Sequence, residues 1–413
     1  MSRSPRVIRS TLAVLAVAGT LLVATPAQGQ AAGPPVRAGE AQPADWTEEA
    51  FPAGNARLYD AARVDADTTW AVGSRAYGEG RQRYSGPVIF SRDDDSRSWT
   101  DVPVPDGYSG TSAVAADPAG NIWVAGSNSP DDKGIPTARR DATGWDVLPE
   151  APVPEGTLSA GFAHLAPVAD DDVWAAGYRQ PEGILTFDAM IEHWDGTAWR
   201  LVELPAIDSD YSTLSDVVAL SADDIWAAGD MGTGDGYTRP LLLHYDGHSW
   251  TQVAAPALDG IHGGLVALAA TGPNDVWAVG EEDLADPRDE HTLAAHFDGK
   301  NWTKVATGVD PGRLDSRPGQ LVGVTATSAG ATVIGYDYVD DGTAWKYVPI
   351  AARRAQDGWQ QLDLPADEGP EGTFPVDVVS TRDSITVVGL ATQGEDESGE
   401  PVPPLPFAVT RLP

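Results

Sequence analysis

Two tryptophan motifs recur along this chain at a spacing of about fifty residues, and that period restricts the fold more than any other feature. The first motif reads Thr-Trp-Ala-Val-Gly at Trp70, Ile-Trp-Val-Ala-Gly at Trp123 and Val-Trp-Ala-Ala-Gly at Trp174. It returns as Ile-Trp-Ala-Ala-Gly at Trp226 and Val-Trp-Ala-Val-Gly at Trp277, with spacings of 53, 51, 52 and 51 residues. The second motif is clearest as Asp195-Gly-Thr-Ala-Trp199, Asp246-Gly-His-Ser-Trp250 and Asp298-Gly-Lys-Asn-Trp302. Short apolar segments repeating at such a period are the mark of radially repeated blades, so the sequence predicts an all-β chain folded as a β-propeller.

The same step predicts further first motifs near 330 and 385. Ala331-Thr-Val-Ile-Gly335 and Ile385-Thr-Val-Val-Gly389 stand there, keeping the apolar run and the glycine but losing the tryptophan. The second-motif tryptophans fall at 99, 145, 199, 250, 302 and 359, so seven first motifs meet six second motifs. The missing outer strand lies at the other end: Asp45-Trp46-Thr-Glu resembles Ser98-Trp99-Thr-Asp and Ser249-Trp250-Thr-Gln, while Phe407 to Leu412 resembles a third strand. Pairing the two ends leaves no open sheet edge in the ring. The expectation is a seven-bladed propeller of four-stranded antiparallel blades over 45–413, closed by the N-terminal strand completing the C-terminal blade.

Within the fourth blade, Leu214 to Leu220 is expected as the inner strand, Ile225 to Gly229 as the second, Pro240 to Tyr245 as the third and Ser249 to Ala254 as the outer. The second strand is apolar on both faces, as suits a strand covered by neighbouring blades. Asp246-Gly247 supplies a favoured hairpin turn. No helical period of useful length follows the N-terminal segment.

Residues 1–27 read as an export signal: Arg3, Arg6 and Arg9 precede the apolar run Thr11 to Val23, and small residues follow at Ala24 to Gly29. Residues 28–44, rich in Ala, Gly, Pro and Gln, read as a disordered leader. Secretion is therefore expected, with no membrane span after cleavage. The chain has no cysteine, so the core alone must hold it. Removing the three signal arginines leaves 24 basic against 61 acidic residues, a net −37 compared with −34 for the whole chain. That field repels phosphate backbones and argues against a nucleic-acid partner. A monomer is expected.

The repeats resemble those of bacterial secreted β-propellers of actinobacterial type built on an Asp-Val-Trp-Ala-Val-Gly core, and are similar to the wider Asp-box and kelch-like propellers. The resemblance covers nearly the whole chain after the leader and implies the fold, with little about function. Departures are clear. The Asp-box Ser-x-Asp-x-Gly-x-Thr-Trp is shortened here to Asp-Gly-x-x-Trp, and the kelch double glycine is missing. No Phe-Arg-Ile-Pro segment supports a sialidase site, and galactose-oxidase chemistry needs a cysteine.

The residue types that carry chemistry are mostly absorbed by the repeat. Trp70, Trp123, Trp174, Trp226 and Trp277 sit within apolar strands and are expected to pack between blades rather than stack on sugars. Asp195, Asp246 and Asp298, with Asp95 and Asp141 at the same offset, suit turns whose carboxylate accepts local N–H bonds. His193, His244 and His296 share one repeat position, which favours packing over a zinc site. Asp93-Asp94-Asp95, Asp170-Asp171-Asp172 and Asp340-Asp341 offer the oxygens Ca²⁺ takes, without the spaced loop of a dedicated site. There is no His-Glu-x-x-His, no Gly-x-Ser-x-Gly and no phosphate-cradling loop. Neither catalytic residues nor a cofactor are assigned.

Binding groups are expected on loops held by the rigid ring. The loops after the second strands and those joining blades emerge on one face. They carry Arg75, Tyr77, Arg81, Arg83, Tyr84, Tyr178, Arg179, Tyr211, Tyr237, Arg239, His262, Arg288 and His291. Arginine and tyrosine concentrated there suit an anionic or sugar-bearing partner. The expected function is a secreted, non-enzymatic binding propeller whose partner is an extracellular glycan, peptide or protein, with a polysaccharide, a peptide or a cell-envelope component as the candidates. An extracellular glycoside hydrolase or polysaccharide lyase with its site over the channel is the alternative, and a cell-surface spacer a third reading.

Overall fold

The computed structural model describes residues 46–412 except 66, 78–83, 94–95, 129–133, 284–290, 310–315, 341, 343, 356–357, 366–370 and 396–400. The expected export signal and leader lie outside the described residues, as does Asp45. Seven four-stranded antiparallel sheets form the blades. Blade 1 comprises Arg57–Arg63, Thr68–Tyr77, Tyr84–Asp93 and Thr100–Val102. Blade 2 comprises Ala113–Ala116, Ile122–Ala125, Thr137–Asp141 and Gly144–Val147, with a short ribbon of Gly134–Ile135 and Ala151–Pro152 beside it. Blade 3 runs through Thr157–Ala169, Asp172–Pro181, Asp188–Trp194 and Trp199–Leu201.

Blade 4 follows as Ser212–Ser221, Asp224–Gly232, Thr238–Tyr245 and Trp250–Gln252, within a few residues of the sequence reading. Blade 5 is His262–Gly272, Asp275–Asp283, His291–Phe297 and Trp302–Lys304; blade 6 is Ser316–Thr327, Gly330–Asp340, Trp345–Ala355 and Gly358–Leu362. Blade 7 takes Thr373–Ser380, Ile385–Ala391 and Leu405–Arg411 from the C-terminal end and Trp46–Glu48 from the N-terminal end. Trp46 pairs with Arg411 and Glu48 with Val409, so the ring closes as expected. Among the described residues the one helical element is the 3₁₀ turn Pro256–Leu258, and no helix is long and apolar enough to cross a membrane.

The motif residues each have a structural task. The motif glycines stand where the first-strand backbone passes too closely for a side chain. A Cβ at Gly73 would lie 1.9 Å from the Arg57 carbonyl oxygen, and one at Gly229 would lie 2.0 Å from that of Thr213. Beside these glycines the inner strand bulges, with register shifts between Leu58 and Asp60, Phe162 and His164, Leu214 and Asp216, and Pro375 and Asp377. A bulge re-aims the side chain that follows it.

The tryptophans are buried between blades: Trp174 joins Leu214, Leu241 and Trp250 across blades 3 and 4, and Trp226 joins Leu265, Leu293 and Trp302 across blades 4 and 5. His193, His244 and His296 stack on Trp174, Trp226 and Trp277 at 4.3 Å. Their Nε2 atoms hydrogen-bond Asp172, Asp224 and Asp275 at 2.7–2.8 Å. The repeated histidines are thus packing groups. In the outer hairpins, Asp195 accepts the Thr197 and Ala198 N–H groups, Asp246 those of His248 and Ser249, and Asp298 those of Lys300 and Asn301. Asp141 does the same with Thr143 and Gly144, and Asp95 lies outside the described residues.

Candidate functional site

The inner-strand bulges deliver a ring of side chains to the central channel. The residue thirteen places before the motif glycine is Asp60, Ala113, His164, Asp216 and Ala267 in blades 1 to 5; Gly323 and Asp377 take the position, one residue closer to the glycine, in blades 6 and 7. All seven inner strands line a channel cavity of about 370 Å³.

The polar members of this ring stitch blades together. Asp60 accepts the N–H of its own neighbour Ala61 and, through its other oxygen, that of Val114 in blade 2. Asp216 bridges Val217 and Leu268 of blade 5, and Asp377 bridges Val378 and Ala61 of blade 1. His164 lies between these carboxylates. Its Nδ1 is 2.8 Å from Asp216, and its Nε2 is 3.9 Å from Asp60.

Electrostatics follow from that placement. Burial pushes Asp60 well above the usual carboxylate range and Asp377 up to about 6, although the His164 charge pulls both down. Burial works against a charged His164, but Asp216 and Asp60 outweigh it and push the imidazole up to about 10. At neutral pH the imidazolium is the counter-charge for the three acids. Among the described residues no group of three or more His, Asp or Glu side chains is placed to hold a metal ion.

The sequence reading missed this ring. A signal was present, since Asp60, Asp216 and Asp377 are lone acids in apolar inner strands at a near-constant offset from the motif glycine. The expected loop face behaves unevenly. Arg81, Arg83 and Arg288 lie outside the described residues, and Tyr84 and His291 are placed as strand residues only. Tyr178 and Tyr211 are corrections: both are buried, at 5% and 4% exposure, packed on either side of Phe187. Burial raises the Tyr178 hydroxyl above its ordinary range. They are apolar-faced and large, and the protein uses them to seal the entry into blade 4.

Arg75 is held by the Asn55 carbonyl and by Asp101 at 3.2 Å, and Arg179 by Asp188 at 2.8 Å. Tyr77 is exposed. Two of the expected residues meet, and a third lines a cavity. Tyr237, 37% exposed in the second loop of blade 4, stacks on His262 at the entry to blade 5, with centroids 4.4 Å apart. Arg239, two residues on, lines a cavity of about 280 Å³ with Leu242, Gln252, Leu258 and Asp259.

Comparison with known proteins adds the fold. No family model matches the chain, and no curated protein matches it. Among solved structures, YCF48 from Cyanidioschyzon merolae aligns with TM-score 0.50 at 12% identity, covering 90% of this chain and 99% of that one. The β-propeller domain of the trilobed protease from Pyrococcus furiosus, described as having an open velcro topology, aligns at 0.51 and 11% identity, with coverage of 86% and 95%. A PL25 ulvan lyase bound to a GlcA–Rha3S saccharide aligns at 0.51 and 11%, with 83% and 93% coverage. At these identities the likeness is one of fold alone.

Proposed function

We propose that this protein is an exported, non-enzymatic binding propeller that holds a polysaccharide, peptide or other cell-envelope component on its loop face. The observation that carries this reading is the engagement of the channel acids. Each carboxylate oxygen of Asp60, Asp216 and Asp377 accepts a main-chain N–H, and each residue bridges two blades. Acids so used serve the ring, whereas a glycosidase needs a pair of carboxyls that can exchange protons with substrate. Tyr237 and His262 supply an aromatic rim and Arg239 a donor at the edge of a cavity, features expected of small binding sites. Export rests on the basic and apolar segment at 1–27, and the resemblance to secreted propellers agrees with it.

The test is a glycan and peptide array probed with the secreted protein, beside a broad hydrolase and lyase screen. Binding without turnover, lost in Tyr237→Ala and Arg239→Ala with melting temperature unchanged, is the expected result. Turnover of any array component abolished by Asp216→Asn would replace this reading with an enzymatic one.

A further inference from the structure

A second concave site lies in the cleft between blades 3 and 4. It is a cavity of about 540 Å³ that opens along the outer strand of blade 3 and the third hairpin turn of blade 4. Such a volume falls in the range of roughly 300–1,000 Å³ typical of small-ligand sites. Its floor is aromatic. Trp174 lies 4.9 Å from Tyr245 and 5.7 Å from Trp250, ring centroid to ring centroid. Both tryptophans are 5% exposed, so the ring of Tyr245, half-buried, presents the accessible apolar surface.

The wall of the cleft is where the repeat departs from itself. Arg200 replaces the threonine that follows the outer tryptophan in blades 4 and 5, Thr251 and Thr303. Glu203 replaces Ala254 and Ala306, and His248 stands where blade 3 has Thr197 and blade 5 has Lys300. A scaffold that repeats its buried residues so closely has no packing need for these three, and all three are exposed. The Arg200 guanidinium is nonetheless oriented: its Nε donates to Asp195 at 2.7 Å, which fixes the side chain at the cavity edge.

From this arrangement we infer that the cleft between blades 3 and 4 binds one pyranose unit of a saccharide. A pyranose offers an apolar C–H face and a rim of hydroxyls that both donate and accept. The Tyr245 ring meets the first requirement. Arg200 and His248 supply donors and Glu203 an acceptor for vicinal hydroxyls, with charge-assisted bonds at Arg200 and Glu203. The site is separate from the loop-face site, because its lining shares no residue with the Tyr237–His262 stack or the Arg239 cavity.

The experiment is saturation-transfer NMR on the intact protein with the methyl glycosides of glucose, galactose, mannose, xylose, fucose and N-acetylglucosamine as probes. At least one glycoside is expected to receive saturation. Its affinity should fall about tenfold or more in Arg200→Ala and in Glu203→Gln, the loss expected for a hydrogen bond to a charged group. Tyr237→Ala, at the loop-face site, should leave it unchanged. No saturation with any of the six probes overturns the inference, as does a signal that survives both cleft substitutions or disappears with Tyr237→Ala. The loop-face reading fails separately, through the array result.

Discussion

Glu49 and Arg92 form a buried ion pair, Oε1 to Nη1 2.8 Å, with each side chain only 3% exposed. Glu49 follows the N-terminal strand of blade 7, and Arg92 lies in the third strand of blade 1. The same carboxylate takes the Trp99 indole N–H and the Thr410 hydroxyl, while Arg92 also donates to Thr386 of blade 7. The pair therefore fastens the seam at which the two chain ends meet. Because no disulfide is present, this polar latch and the three main-chain pairings of Trp46–Glu48 hold the ring shut.

Breaking one half of the latch leaves the other charge buried and alone, so Arg92→Ala or Glu49→Ala should cost about 3–5 kcal/mol. The double substitution Glu49→Leu with Arg92→Met should cost less than the sum. Deleting residues 45–52 should lower the melting temperature of the entire ring in one transition. Calorimetry decides this: an unchanged main transition in the truncated protein would mean that the N-terminal strand is dispensable.

Trp226→Ala should destabilise by about 3–5 kcal/mol, as for large aromatic truncations in cores. The side chain is 3% exposed and meets His244, Phe297 and Trp302 at centroid distances of 4.3, 4.9 and 5.5 Å. Denaturant titration measures it, and a loss below about 1 kcal/mol would show that the cleft refills without it.

Stability should fall as pH rises from about 5 to 9. The sign follows from groups that bind protons more tightly when folded. Burial raises Asp377 and Asp230 from 3.8 to about 6 and Glu192 from 4.5 to about 8. His164 rises from 6.5 to about 10 despite its burial, through Asp216 and Asp60. Each contributes a stability that is full below its unfolded pKa and lost on passing its folded one. Below pH 4 the turn acids act oppositely: Asp141, Asp246 and Asp298 are lowered by hydrogen bonds, so their contribution disappears as they protonate. Melting temperatures across this range test the shape, and a maximum at pH 8 would contradict it.

Glu192 isolates one part of that curve. It is fully buried in the third strand of blade 3, and neither oxygen has a hydrogen-bond partner among the described residues. The matching position in blade 4 is Leu243, which pairs with Gln252 as Glu192 pairs with Leu201. Glu192→Leu should therefore raise stability, more at pH 8 than at pH 5. Equal gains at both values would show that the carboxyl titrates alike in the folded and unfolded protein, so that burial does not raise it.

The blades were legible because packing repeats: Trp226, Gly229 and Asp246 each mark a position set by local geometry, and even the closure could be read from Trp46 and Phe407. The channel ring was less so. Asp60 and His164 belong to blades 1 and 3, and only the closed ring brings them near each other. Tyr178 and Tyr211 misled because a tyrosine beside a loop looks the same in sequence whether it faces solvent or seals a seam against Phe187. The charged departures at Arg200, Glu203 and His248 were visible one by one. Their meeting in one cleft required the angle between blades.

His164→Ala tests the channel ring itself. Without the imidazolium, Asp60, Asp216 and Asp377 face a shared cavity with no cation among them, and each remains tied to two blades by the bonds that hold its oxygens. The cost should be about 1–3 kcal/mol at pH 8, below the figure for a fully buried pair because the His164 side chain is 32% exposed. At pH 5 the loss should be larger, since the stability that His164 contributes is full below pH 6.5 and declines as pH rises toward about 10. Adding Asp60→Asn to His164→Ala removes one of the repelling charges while keeping an oxygen to accept an N–H bond. It should recover part of the loss at pH 8 and little at pH 5. A double variant no more stable than the single at pH 8 would mean that His164 supports the ring by packing, and that charge balance in the channel is incidental.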